Sequence, residues 1–254
     1  MKTDAPYTTN ELMTVTASRL LIDGQNIVVG LGLPQIATLL AKRTHAPNIT
    51  IIYEIGVTNP ETEDPGVGLA DPRYWYRADY YTGFIGTLGM ILQSGHVDVG
   101  FLGGLQIDRY GNINSTLTKT ENGFRHFTGS GGAADIASFA KKIYVIMKHE
   151  KRKIVDQLDY LTTIGYFKGD KSREEEGLPP CEEMKVITNL CVFSFNAKRT
   201  IQVESIHPGV SPREVIENTG AQISIDGRIK NTDEPTEEEI HLLRTVIDPG
   251  RMYI

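Results

Sequence analysis

With 254 residues and a net charge of −6, the chain has room for one sizeable α/β domain or two small ones and lacks the clustered basic charge that non-specific nucleic-acid binding needs. A hydrophobic content of 40% with 23% charged residues describes a globular chain with a substantial core rather than a disordered one. Cys181 and Cys191 suit neither a zinc motif nor a disulfide framework. Residues 1–6 carry no charged-then-apolar leader and no apolar run reaches about 18 residues, so a soluble chain in a reducing cytoplasm is expected.

Thr8-Thr9-Asn10-Glu11 fits a capping box, and Leu12, Val15, Leu20 and Leu21 follow at helical spacing, which predicts a helix over 9–22. After Asp23-Gly24 comes a β-branched strand over 26–29, then Gly30-Leu31-Gly32-Leu33-Pro34 and a helix through Ala37, Leu39, Leu40 and Ala41. A second strand over 49–53 completes a strand–helix–strand unit, which implies parallel strands and a right-handed crossover. Strands near 97–100 and 142–147, with helices near 83–93 and 133–140, continue the alternation of a doubly wound sheet.

Residues 165–183, with Glu174-Glu175-Glu176, read as an exposed loop. Residues 185–195 and 201–206 read as a strand pair turning at Asn196-Ala197-Lys198. Ser211-Pro212-Arg213-Glu214 and Thr236-Glu237-Glu238-Glu239 are helix starts. Nothing of low complexity divides the chain, so a single domain over 1–254 with a β-rich C-terminal elaboration is expected.

Glu54 ends the second strand, where open α/β sheets put their chemistry. A carboxylate there can bind a ribose, act as a base or attack as a nucleophile. Gly30 and Gly32 with Glu54 about twenty residues later imitate a dinucleotide site, but the third glycine position is Gln35, after a proline that lacks the amide a phosphate cradle would use. Two further glycine clusters lie at 101–114, after a strand, and at 128–135, leading into a helix. Backbone amides fixed in such turns can hold a phosphate or an oxyanion, and tight packing also calls for glycine.

Glu54-Ile55-Gly56, Gly103-Gly104-Leu105-Gln106-Ile107-Asp108 with Gly111-Asn112-Ile113-Asn114-Ser115, and Phe127-Thr128-Gly129-Ser130-Gly131-Gly132-Ala133 together resemble the β subunit of family I coenzyme A transferases. The resemblance runs over nearly the whole chain, through His149-Glu150-Lys151-Arg152, Asp159-Tyr160, Glu217-Asn218-Thr219-Gly220 and Ile247-Asp248-Pro249-Gly250. It implies a three-layer α/β/α fold with a mostly parallel open sheet. It also implies ping-pong transfer of coenzyme A from an acyl-CoA to a glutaconate-like or other organic acid.

By the same resemblance Glu54 is the nucleophile, and Gly104, Gln106, Gly129, Gly131 and Gly132 are oxyanion or CoA contacts. No metal or resident cofactor is implied, CoA serving as cosubstrate, and an α subunit of the same fold completes an α2β2 hetero-oligomer. Relatives that hydrolyse or decarboxylate acyl-CoA, and a catalytically silent subunit, are the alternatives. Ile55 stands where related β subunits carry a small or polar residue, and Tyr74-Trp75-Tyr76 with Tyr80-Tyr81 is either packing or the wall of an acyl pocket.

Overall fold

The computed structural model describes residues 6–61, 65–68, 71–225 and 229–254. Its backbone divides into two compact units, the chain up to Phe101 with Asp233–Ile254, and Leu102–Thr232.

In the first unit β1 (Asn26–Val29), β2 (Thr50–Tyr53), β3 (Val57–Thr58), β4 (Tyr80–Tyr81) and β5 (Val99–Leu102) lie in the order β5-β1-β2-β3-β4. β1 is parallel to β2 and β5, while β3 and β4 return antiparallel. Val28, Val29, Ile51 and Ile52 are buried, as β-branched side chains are when both faces of a parallel strand are covered. Helices α1 (Thr9–Ser18) and α2 (Leu33–Arg43) pack with the C-terminal segment through Val15, Ile36, Leu40, Leu243 and Ile247. Full burial of each such side chain contributes about 1.5–3 kcal/mol.

The Thr8–Glu11 capping box forms. The helix it starts ends at Ser18, short of 22, because Leu20 and Leu21 bond back only three residues and Leu21 turns into the core. Residues 85–92 form a π-helix rather than an α-helix. Gly86 and Gly89 stiffen the backbone little there, and only Thr87 and Leu92 are buried, so packing does not impose the tighter winding.

The second unit begins with β6 (Gln106–Asp108), β7 (Ile113–Asn114) and the hairpin β8 (Leu117–Thr120) with β9 (Gly123–His126). Next come α3 (Ala133–Phe139), β10 (Lys142–Ile146), β11 (Ile154–Val155), which pairs with β6, and the short α4 (Ser172–Glu175). β12 (Glu183–Ile187), β13 (Cys191–Phe195) and β14 (Ile201–Ile206) form an antiparallel run beside β10, followed by α5 (Pro212–Glu217) and β15 (Lys230–Asn231). Parallel strands, antiparallel additions and covering helices make the expected α/β/α architecture, with a sheet more mixed than mostly parallel.

Two sequence readings change. Residues 185–195 are parts of two strands, because Thr188 accepts from the amides of Leu190 and Cys191 and closes a tight turn between β12 and β13. Residues 165–183 are not a wholly exposed loop. Glu175 and Glu176 are exposed, but Arg173 beside them is 1% exposed and donates to the carbonyls of Pro179, Ile164, Gly165, Ala137 and Ser138. Its five donors each meet a backbone acceptor, those of Gly165 and Ala137 in fully buried bonds.

Candidate functional site

Glu54 is the first residue beyond β2 and is half-buried. The parallel register pairs Val29 with Tyr53, so Glu54 and the Gly30-Leu31-Gly32 turn leave the sheet at the same edge. The place a third nucleotide-cradling glycine would need is filled by the fully buried side chain of Gln35. The turn that carries Glu54 is closed by the Gly56 amide donating to the Tyr53 carbonyl at 2.9 Å.

Gly56 has φ +99°, and a β-carbon on it would overlap the Thr82 carbonyl. The Thr82 amide in turn donates to the Gly56 carbonyl at 2.7 Å. Glycine is therefore required by both its dihedral and its neighbour, and the chain beyond Glu54 is clamped against residues 82–83. On the other side Tyr53 is 1% exposed and packs on Tyr74, ring centroids 4.5 Å apart. The Tyr74 hydroxyl faces Gln35 Oε1 at 2.9 Å and the Gly66 carbonyl at 3.2 Å, and Tyr253 donates to that same carbonyl at 2.7 Å. Burial pushes the Tyr74 phenol up to about 12 and raises that of Tyr53 further, so this aromatic support is uncharged at neutral pH. A cavity of about 570 Å³ beside Lys42, Asn59 and Arg77 lies at the start of β2, the other end of the strand from Glu54.

The remaining sequence-predicted residues lie in the second unit, where Gln106 is linked to Asn114 and Gly129 to the adjoining Ser115. Gly104 packs closely, since a β-carbon there would stand 2.7 Å from Ile113 Cγ2. Gln106 is 7% exposed; it accepts from Asn114 Nδ2 at 2.8 Å and from the Asp159 amide at 3.0 Å, and donates to Asp159 Oδ2 at 3.1 Å. Ser115 follows Asn114 and donates to the Gly129 carbonyl at 2.8 Å, while the Gly129 amide returns a bond to the Ser115 carbonyl at 3.2 Å. The two glycine clusters are thus tied through Ser115. Ser130 Oγ accepts from the Ala134 amide, leading through exposed Gly131 and buried Gly132 into α3.

Within the 101–114 cluster, Asp108 accepts from the amides of Tyr110 and Asn112 and from Asn112 Nδ2. Asn112 also accepts from the amides of Gly165 and Phe167. Much of this motif is internal scaffold. Burial raises the Asp108 carboxyl above its usual range despite those donors.

His149 is not part of a solvated turn. It is 4% exposed, with Nδ1 at 3.1 Å from Thr188 Oγ1 and Nε2 at 2.8 Å from Thr219 Oγ1. His207 is also buried, bonded to Thr232 Oγ1 at 2.9 Å and to the Thr188 carbonyl at 2.7 Å. Desolvation lowers the His149 imidazole to about 4 and depresses that of His207. Of the singled-out aromatics, Tyr74 is core, whereas Trp75, Tyr76, Tyr80 and Tyr81 are exposed. Sequence reasoning missed the Gly56–Thr82 clamp, the Gln35–Tyr74 support and the Ser115 tie; Gly56 and Ser115 stood inside the motifs that carry the resemblance, which gave a signal for the residues but not for their contacts. Among the described residues no group of three or more metal-binding side chains converges, and no helix is long and apolar enough to cross a membrane.

A model of the family described as coenzyme A transferase matches residues 10–218. The chain is 38% identical over 242 residues to the B subunit of 3-oxoadipate CoA-transferase from Pseudomonas knackmussii, covering 94% of this chain and 93% of that protein. It is 33% identical to the B subunit of glutaconate CoA-transferase from Acidaminococcus fermentans, covering 98% and 95%. The crystal structure of glutaconate coenzyme A-transferase from that organism superposes with a TM-score of 0.91 at 32% identity over 98% of both chains.

Proposed function

Because the chain belongs to the coenzyme A transferase family as a family I β subunit, we propose that Glu54 carries its covalent chemistry. The reaction is transfer of coenzyme A between an acyl-CoA and a carboxylic acid by a ping-pong course through an enzyme glutamyl-CoA thioester. In the proposed assignment a Glu54 oxygen attacks the thioester carbonyl, the carbon–sulfur bond breaks, and CoA thiolate leaves a mixed anhydride. The thiolate then attacks the glutamyl carbonyl, forming the Glu54 thioester and releasing the donor acid. An acceptor acid reverses both steps, so the thioester's free energy is retained rather than lost to water.

The observation that carries this reading is the turn itself. Glu54 stands at a parallel-sheet edge between buried Tyr53 and Gly56, which is clamped on Thr82, and a nucleophile held in this way loses little freedom on attack. For the tetrahedral oxyanion and CoA we propose the turn amides of Gly129, Gly131 and Gly132, with Gly104 and Gln106 positioning that turn through Asn114 and Ser115.

The 3-oxoadipate and glutaconate named for the two relatives are both dicarboxylic acids, which supports a dicarboxylate as the acid substrate here. Both relatives are B subunits, which supports an α subunit of the same fold as partner in an α2β2 assembly. We further propose that the two compact units act as one domain, to be seen as a single cooperative melting transition, and that the enzyme resides in the cytoplasm, a setting that suits the two free cysteines.

The assembled enzyme incubated with acyl-CoA and no acceptor should carry a CoA adduct, reducible by borohydride, on the peptide containing Glu54. Intact turnover without that modification in the mass spectrum rejects the assignment. Rapid release of free CoA without an acceptor would mark hydrolysis instead.

A further inference from the structure

Half of the large apolar side chains exposed among the described residues lie between Val67 and Met90, a segment that supplies a small fraction of the chain. Trp75 and Tyr81 stack with their rings 6.0 Å apart, Tyr80 and Tyr81 form the outermost strand of their sheet, and Phe84 caps the π-helix that carries Ile85 and Met90, Ile85 at 84% exposure. The described charges of the segment are already engaged, Arg73 with Asp71, Arg77 with Glu61 and Asp79 with Asn59. With those charges paired, the rest of the outward surface is apolar, aromatic at residues 75–84 and aliphatic at Ile85 and Met90, which suits neither nucleic acid nor an anionic membrane.

Seven of these side chains fall within residues 75–90, and with each about half exposed, where a large side chain buries about 150–250 Å², they offer roughly 700 Å² of surface. That exceeds the usual largest apolar patch of a monomer and comes close to one partner's share of a standard protein interface. The segment also bears on chemistry. Thr82, between β4 and the π-helix, is the residue against which Gly56 is clamped.

We propose that the strand and π-helix over residues 75–90 are the docking surface for the second transferase subunit, and that docking holds the Glu54 turn in place through the Gly56–Thr82 contact. The occupant is an apolar protein face on that subunit, a statement that rests on the reading of this chain as one half of a two-subunit enzyme. The partner does not supply the nucleophile; it immobilises the segment on which the nucleophile's turn leans. A chain without its partner keeps the Gly56–Thr82 contact, but the segment that carries Thr82 is then uncovered on its outer face.

Two measurements on the full chain, alone and assembled with its second subunit, test this. Hydrogen exchange should slow at the amides of Gly56, Thr82 and residues 85–92 on assembly, and unchanged exchange there overturns the proposal. Ile85→Asp and Met90→Asp should each weaken subunit association by at least about 30-fold, while Ile22→Asp, at a residue 58% exposed outside the segment, should not. Thermal melting of the isolated variants should match the parent chain, which separates lost docking from lost folding. If the variants assemble normally, the docking surface lies elsewhere. If the isolated chain pairs with itself and Ile85→Asp abolishes that pairing, a second copy is the occupant and the proposal fails. Neither result touches the Glu54 assignment, which the borohydride adduct on the wild-type assembly decides separately.

Discussion

The turn after β2 and the turn between β6 and β7 have much in common as sequence: each follows a buried strand, each contains glycine, and each carries polar side chains of a family motif. They are held in different ways. Between β6 and β7, Gln106, Asp108, Asn112 and Asn114 use their polar atoms on one another and on nearby backbone, as buried polar groups must. After β2 the turn is shaped by backbone bonds, the dihedral of Gly56 and an aromatic support. A motif residue is thus better assigned to scaffold or chemistry by what holds its turn in shape than by how distinctive its motif is.

The sharpest way to break this contrast is Glu54→Ala. With the partner supplied, kcat should fall by at least about 10⁴-fold, the scale on which covalent nucleophiles fail, while the melting temperature stays unchanged. A variant that retains substantial turnover would place Glu54 with the scaffold residues. Gly56→Ala should act on the same turn through shape; a β-carbon at φ +99° against the Thr82 carbonyl should cost about 3 kcal/mol in denaturant unfolding. Full stability in that variant would show that the clamp yields.

The buried histidines extend the contrast to pH. The folded His149 imidazole lies at about 4, below the usual 6.5, and that of His207 is also depressed. The unfolded chain therefore binds the extra protons between those values. Stability should be complete above about pH 6.5 and should fall by about 3 kcal/mol for His149 alone as the pH drops to about 4, then flatten for that group. His149→Gln should remove most of this slope in urea titrations across pH, and a slope unaltered by the substitution would assign acid sensitivity to carboxylates. Gln106→Ala should have the smallest effect, about 2 kcal/mol of stability from the partners left unpaired, with a larger rise in KM for acyl-CoA than fall in kcat. A kcat loss as deep as that of Glu54→Ala would erase the distinction between the two turns.

The first strand–helix–strand unit and the position of Glu54 at its edge were legible because β-branched runs, a capping box and a glycine turn all agree there. The strands among the glycines of 103–126 were not, since β6 and β7 are two or three residues long and are bridged by Asn112 to Asp108 and Asn114 to Gln106 rather than marked by alternating hydrophobicity. Arg173 was hidden because an arginine beside three glutamates reads as solvated, and only tertiary structure brings five carbonyls to it. Gly56 was visible as part of a motif, but its reason, a backbone arriving from residue 82, is non-local. The π-helix was read as an ordinary helix because apolar spacing does not distinguish a winding of four from one of five when few of its residues are packed.

β4 has only two residues, although it forms the open edge of its sheet and both its side chains are exposed tyrosines. An edge so short offers a stranger few backbone hydrogen bonds, and strand-upon-strand growth needs a longer template. The chain can thus display a sticky aromatic face during the interval between synthesis and assembly without seeding fibrous aggregation. Lengthening β4 would be hazardous even if every aromatic contact were kept.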